Sequence, residues 1–196
     1  EPSQPVAQAN VKRAEVSLPL GMGLTPAAAA GLQACTDAQF GKGIAIGSRL
    51  TEPDKVHPPA VACPPASQVG TVSIQTPVLP ANSLPGTVFL GQQLSRDPAS
   101  GNEYRIFVDA ESNRYGISVR LLGKVSADPR TGQLTTTIAD NPQVPFTSFE
   151  LDFDGGPRAV LSSPPVCGTR AGSSFTPWSG NPAATPAAPI VLSSAP

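Results

Sequence analysis

The sequence predicts an all-β chain: an antiparallel β-sandwich of immunoglobulin-like type, with one or two short helices and long Pro/Gly-rich loops. Three observations predict it. The 24 prolines among 196 residues are spread along nearly the whole chain, and each one removes a backbone donor and costs about 3 kcal/mol inside a helix. Alternating apolar and polar runs recur with little helical pattern between them. Turn residues punctuate those runs.

Residues 1–10 are polar and contain Pro and Ala, as an arm or linker does. A module over 11–180 follows. Its first strand alternates Lys12, Ala14, Val16 and Leu18 against Arg13, Glu15 and Ser17, and ends at Pro19. Thr25 as cap, Pro26 at the first helical position and Ala27 to Ala30 predict a short helix before Gly31. Thr36-Asp37-Ala38-Gln39 has the spacing of a capping box and predicts a second helical turn. Residues 41–66 form a long Gly/Pro-rich insertion.

Strand signals then resume in series. Val72 and Ile74 alternate with Thr71, Ser73 and Gln75, and Gly86 to Gly91 carries Val88, Phe89 and Leu90. Tyr104, Ile106 and Val108 alternate with Arg105 and Asp109, and Ile117, Val119 and Leu121 with Ser118 and Arg120. A hairpin is predicted at Asp128-Pro129-Arg130-Thr131-Gly132, where Pro presets φ and Gly accepts a positive φ. A second is predicted with Phe149, Leu151 and Phe153 inward, a turn at Asp154-Gly155-Gly156 and a return through Arg158 to Leu161. After Pro164-Pro165 the chain loosens into a Pro/Ala/Ser/Thr-rich tail at 181–196, interrupted by Ile190, Val191 and Leu192.

Charge and hydropathy exclude several classes. A net charge of −1 leaves no basic footprint for nucleic acid or an anionic membrane. No apolar run approaches the roughly 20 residues of a spanning helix, and the N-terminus has no signal-peptide pattern.

Cys35 and Cys63 flank an irregular loop that little else would hold, so a disulfide across it is expected, against the alternative of three unrelated buried thiols. A bridge places the chain in an oxidising compartment, secreted or at the cell surface. Cys167 is left over: free, bridging between chains, or paired with a cysteine beyond this segment.

No catalytic, cofactor or metal constellation is predicted. Glu150, Asp152 and Asp154 share one strand face, with Asp140 nearby; alternation alone accounts for the row as the solvated side of a half-buried strand. The single His57 stands in a Val-His-Pro-Pro loop and has no Gly-x-Ser-x-Gly partner motif. Gly41-Lys42-Gly43 lacks the rest of a phosphate loop. Trp178, with Phe175 and Tyr104, is the candidate ligand contact, as a sugar-stacking platform; edge packing is the competing reading.

An ordered set of motifs carries a resemblance. Val16-Ser17-Leu18-Pro19, Ala34-Cys35, Cys63-Pro64-Pro65-Ala66-Ser67 and Leu84-Pro85-Gly86-Thr87-Val88 are followed by Asp128-Pro129-Arg130-Thr131-Gly132-Gln133-Leu134. Pro142-Gln143-Val144-Pro145-Phe146, Pro164-Pro165-Val166-Cys167-Gly168 and Phe175-Thr176-Pro177-Trp178-Ser179 complete the set. Over roughly 11–180 the chain resembles modules of large, repetitive extracellular proteins of actinobacteria whose function is uncharacterised. The resemblance implies export and a surface or matrix role, and brings no activity, ligand or catalytic residue with it. In those proteins further cysteine-bearing segments follow the Cys-Gly motif, so this chain is expected to be one unit of a longer polypeptide or a single-module relative.

The function expected is therefore a non-catalytic structural module, with other copies of itself or neighbouring modules as partners. A self-assembling version would exchange strands through 11–18 and 190–192. The alternative is a glycan- or ligand-binding adhesin domain.

Overall fold

A computed structural model of the chain describes residues 10–25, 31–41, 60–139 and 141–190. Nine antiparallel strands run through them: β1 (Val11–Ser17), β2 (Gln68–Gln75), β3 (Leu84–Gly91), β4 (Tyr104–Ser112), β5 (Ile117–Ala127), β6 (Leu134–Ile138), β7 (Ser148–Phe153), β8 (Arg170–Pro177) and β9 (Ala187–Pro189). One helical turn, α1 (Asp37–Phe40), precedes β2. The all-β, antiparallel expectation holds. The strands do not divide into the two facing layers of a sandwich; they join one sheet in the order β7-β2-β3-β4-β5-β6-β1-β8-β9, curled into a half-barrel.

The curl has a local cause in the sequence. Gly70 of β2 and Gly86 of β3 lie on the concave face, where the neighbouring backbone presses in. A Cβ on Gly86 would stand 2.0 Å from the Asp109 carbonyl oxygen, and one on Gly70 2.1 Å from that of Asp152. On β5, a Cβ on Gly123 would meet Ile106 Cγ1 at 2.5 Å. Glycines inside strands permit such close approach and bend a sheet toward itself.

The concave face carries the main core. Val72, Ile74, Leu84, Val88, Val108 and Leu121 are buried there, and Leu32, Leu79 and Val160 pack against them. Two loop segments meet over this half: Leu24 bridges Leu161, with Thr25 N–H donating to the Val160 carbonyl at 3.0 Å. That pairing corrects the second predicted hairpin. After β7 the chain makes a 3-10 turn at Gly156–Arg158 and leaves the sheet, so β7 pairs with β2 alone. The inward set Phe149, Leu151 and Phe153 and the outward set Glu150 and Asp152 are as alternation predicts, matching Ile74, Val72 and Gly70 on one face and Ser73 and Thr71 on the other.

The convex face has a smaller core of its own. The capping box at Thr36 forms as expected, with the Thr36 Oγ1 accepting from Gln39 N–H and Gln39 Oε1 accepting from Thr36 N–H. It sets α1 so that the Phe40 ring stacks on Phe107 of β4 at 4.4 Å. The Cys35–Cys63 disulfide is present, and Cys35 is tied to β3 by its N–H donating to the Leu90 carbonyl at 2.8 Å and by its own carbonyl accepting from Gln92 N–H. Arg105, on the face that alternation alone gives to solvent, is only 1% exposed. It pairs with Asp37 and donates to the Gln92 carbonyl at 3.0 Å. Arg120 pairs with Asp109 at 3.1 Å, and burial raises the Asp109 carboxyl pKa against the lowering pull of that arginine.

Further corrections concern the two ends of the chain. Residues 11–18, proposed as a strand-exchange segment, include β1, which has β6 on one side and β8 on the other. The chain after Pro165 is not loose throughout, since Arg170–Pro177 is a strand and Ala187–Pro189 pairs with it. The helix predicted at 26–30 and the segment 191–192 lie outside the described residues.

The predicted hairpin at 128–132 forms between β5 and β6, with Gly132 at φ 70. Asp128 Oδ1 accepts from the N–H groups of Arg130 and Thr131, and these bonds hold its carboxyl below the ordinary 3.8. A lowered carboxyl pKa stabilises the fold above the unfolded-state value and loses that contribution as pH falls through the folded-state value. Asp128→Ala is therefore expected to lower the melting temperature at pH 7, by an amount that shrinks as melts are repeated down to pH 3. A constant difference across that range would contradict this role.

Candidate functional site

Cross-strand register shows what the concave face offers where the two loop segments do not cover it. Paired residues point to the same side of a sheet, so one row runs Phe175, Ala14, Ile138, Gly123, Ile106, Leu90 across six strands. The next row runs Ser173, Val16, Thr136, Val125, Tyr104. Together they floor an apolar trough. The cavity they border measures about 2140 Å³ and reaches round to Gly101 and Lys124 of the convex side, so the trough is a part of that volume.

The wider cavity gathers exposed apolar side chains, one of them, Val16, from the floor of the trough itself. Of the eleven exposed large hydrophobic residues among those described, six (Val16, Leu24, Val78, Val144, Phe146 and Phe153) line this cavity. Val16, next to the C-terminal end of β1, is 37% exposed although its strand is paired on both sides. Concentration of exposed apolar surface in one concavity marks a place where something binds.

Trp178 stands at the rim, not in the floor. Its indole N–H donates to the Asn141 carbonyl at 3.1 Å, and Asn141 lines the cavity. The Lys12 ammonium lies 5.0 Å from the indole ring centroid, and the ring is 38% exposed. Phe175 and Tyr104 do not join Trp178 in a platform. Phe175 sits on β8 and Tyr104 on β4, four strand steps apart in the sheet.

The remaining candidates are scattered. Cys167 is exposed and unbridged. Glu150 and Asp152 lie on the solvated side of β7, while Asp140, His57 and Lys42 fall outside the described residues. Among the described residues, no three of His, Cys, Asp and Glu gather so as to hold a metal ion. No helix among them is long and apolar enough to cross a membrane.

Reading the sequence alone missed the trough, because its floor has the alternation of an ordinary core. The available signal was three glycines, Gly70, Gly86 and Gly123, inside otherwise apolar strand faces. Comparison with protein-family models, with curated proteins and with solved structures finds no match for this chain.

Proposed function

We propose that the chain is a non-catalytic module of an exported or cell-surface protein, a rigid curled sheet that serves as a scaffold among other copies or neighbouring modules. The observation that carries this reading is the disulfide. Cys35 is fully buried and the bridge fastens α1 and the segment entering β2 onto the sheet, so the bond is part of the folded core. Bonds of this kind persist where thiols are kept oxidised. The likeness of the motif series to modules of repetitive extracellular actinobacterial proteins supports the same compartment.

Self-assembly by strand addition has less support than the scaffold role. Both edges of β1 are occupied, and the edge strand β9 is three residues long and ends in Pro189, which has no N–H to donate, so the outer side of β7 is the open edge among the described strands. The alternative, a ligand-binding role, draws its support from the trough and not from Trp178.

The test is non-reducing peptide mapping of the protein taken from its native source. The Cys35–Cys63 pair is expected, with Cys167 alone or joined to another molecule. Three reduced thiols would overturn the exported reading.

A further inference from the structure

We propose that the concave trough binds the hydrocarbon chain of an anionic single-chain amphiphile, a fatty acid in chemical class, with its head group at the Lys12–Trp178 rim. The inference rests on the chemistry of the trough and is independent of the compartment proposed above.

The floor selects against a peptide. β1, β5 and β6 each have a hydrogen-bonded neighbour on both sides, so their backbone N–H and C=O groups are used within the sheet. An extended peptide laid on this floor would give up water from its own backbone and find no partners for it. A hydrocarbon chain has no such groups to satisfy. Exposed Val16 and half-buried Ala14 and Phe175 offer it apolar contact, backed by the buried Val125 and Ile138.

A second copy that presented its convex face would bury Arg13, Glu15, Arg120 and Lys124 on an apolar floor, which is unfavourable, and one that presented its own trough would dimerise in the test below. The edge strands β7 and β9 would meet the same saturated floor as any extended segment.

The rim supplies the complement to an anionic head group. Asn141 lines the cavity, its N–H donates to the Lys12 carbonyl at 2.9 Å, and its carbonyl holds the Trp178 indole. Lys12 is exposed and lies over that indole, and no carboxylate among the described residues pairs with it. An exposed ammonium beside a half-exposed indole is suited to the boundary between an apolar chain and water.

The experiment is a fluorescence titration of the delipidated full chain with a long-chain polyene fatty acid, followed by displacement with saturated fatty acids of increasing length. Saturable binding of one ligand per chain is expected, with affinity rising about fourfold per added methylene until the trough is filled. Val16→Asp is expected to weaken binding at least tenfold, and Phe175→Asp, beside Ala14 in the floor, is expected to do the same should the first variant fail to fold. Lys12→Glu is expected to weaken fatty acids but not the corresponding alcohols. Absence of saturable binding by the folded wild-type chain would overturn the proposal, as would length-independent affinity. So would binding only to anionic phospholipid vesicles, or a concentration-dependent dimer that Val16→Asp abolishes, since the occupant would then be a membrane or a second copy.

Discussion

Gly86→Val is expected to destabilise the protein by more than about 3 kcal/mol, the upper part of the range for overpacking a well-filled site. Strand propensity points the other way, since a β-branched residue on a strand is favoured over glycine by up to about 1 kcal/mol. Sterics decide the sign. The new Cβ would lie 2.0 Å from the Asp109 carbonyl oxygen and 2.6 Å from the Ala110 Cα, both backbone atoms of β4 that cannot rotate away. The β3–β4 pairing would have to open or the sheet flatten, and flattening withdraws Val88 and Val108 from the core. Gly172→Ala on β8 is the control. The nearest atom to its added Cβ is the Ser17 Cβ at 4.0 Å, so a change within about 0.5 kcal/mol is expected. Urea denaturation of the two variants checks both. Equal, small effects would mean that the sheet does not need its glycines to curl.

The second large effect is expected at the disulfide. For two cysteines 28 positions apart, the chain-entropy relation gives about 3.6 kcal/mol lost on removing the bridge. At about 2–4 °C per kcal/mol for a chain of this size, the Cys35→Ala/Cys63→Ala variant should melt roughly 7–14 °C below the parent. The loss has a definite place in the fold. Without the bridge, α1 and the segment around Val61 are held over Phe107 by the Phe40 stack, the Arg105–Asp37 pair and the two Cys35 backbone bonds. Those contacts lie on the convex face, so far-ultraviolet circular dichroism should still show the sheet below the lowered melting temperature. Reduction of the parent protein should reproduce the variant's melting curve. A reduced protein that melts with the parent would remove the bridge from the account of stability.

Strands β1 to β7 are legible in the sequence because most alternate side chains that differ in hydropathy and β3 carries the apolar run Val88-Phe89-Leu90. β8 and β9 are not. Arg-Ala-Gly-Ser-Ser-Phe-Thr-Pro and Ala-Ala-Pro carry almost no apolar periodicity, and these segments are strands because β1 and then β8 supply a hydrogen-bonding edge. The turn is shifted two residues from the Asp154-Gly155-Gly156 signal, to Gly156–Arg158, and its continuation is captured by Leu24 in another part of the chain. No local pattern reports that partner. Arg105 shows the same limit: alternation assigns it to the outer face correctly, while the burial of that face depends on α1 and a disulfide distant in sequence.

The difference between a sandwich and a curled single sheet is of this kind too. Alternation identifies an apolar face and does not say whether a second sheet or the same sheet's own curvature covers it. In this chain curvature covers most of it, Ile106 and Ile138 included, helped by Leu32, Leu79 and Val160, and the part around Val16 of β1 stays open. The candidate site was therefore invisible as a site, although the floor residues Ala14, Val16, Ile106, Val125, Thr136 and Ile138 could each be placed on a strand.

The single open sheet is tested most directly by cross-strand nuclear Overhauser contacts of β1 in the isotope-labelled protein. Backbone contacts from Ala14 to Ile138 and to Phe175, and from Val16 to Thr136 and to Ser173, are expected together. Contacts on one side of β1 only, with Val16 packed face to face against a second layer of strands, would contradict the half-barrel and the trough with it.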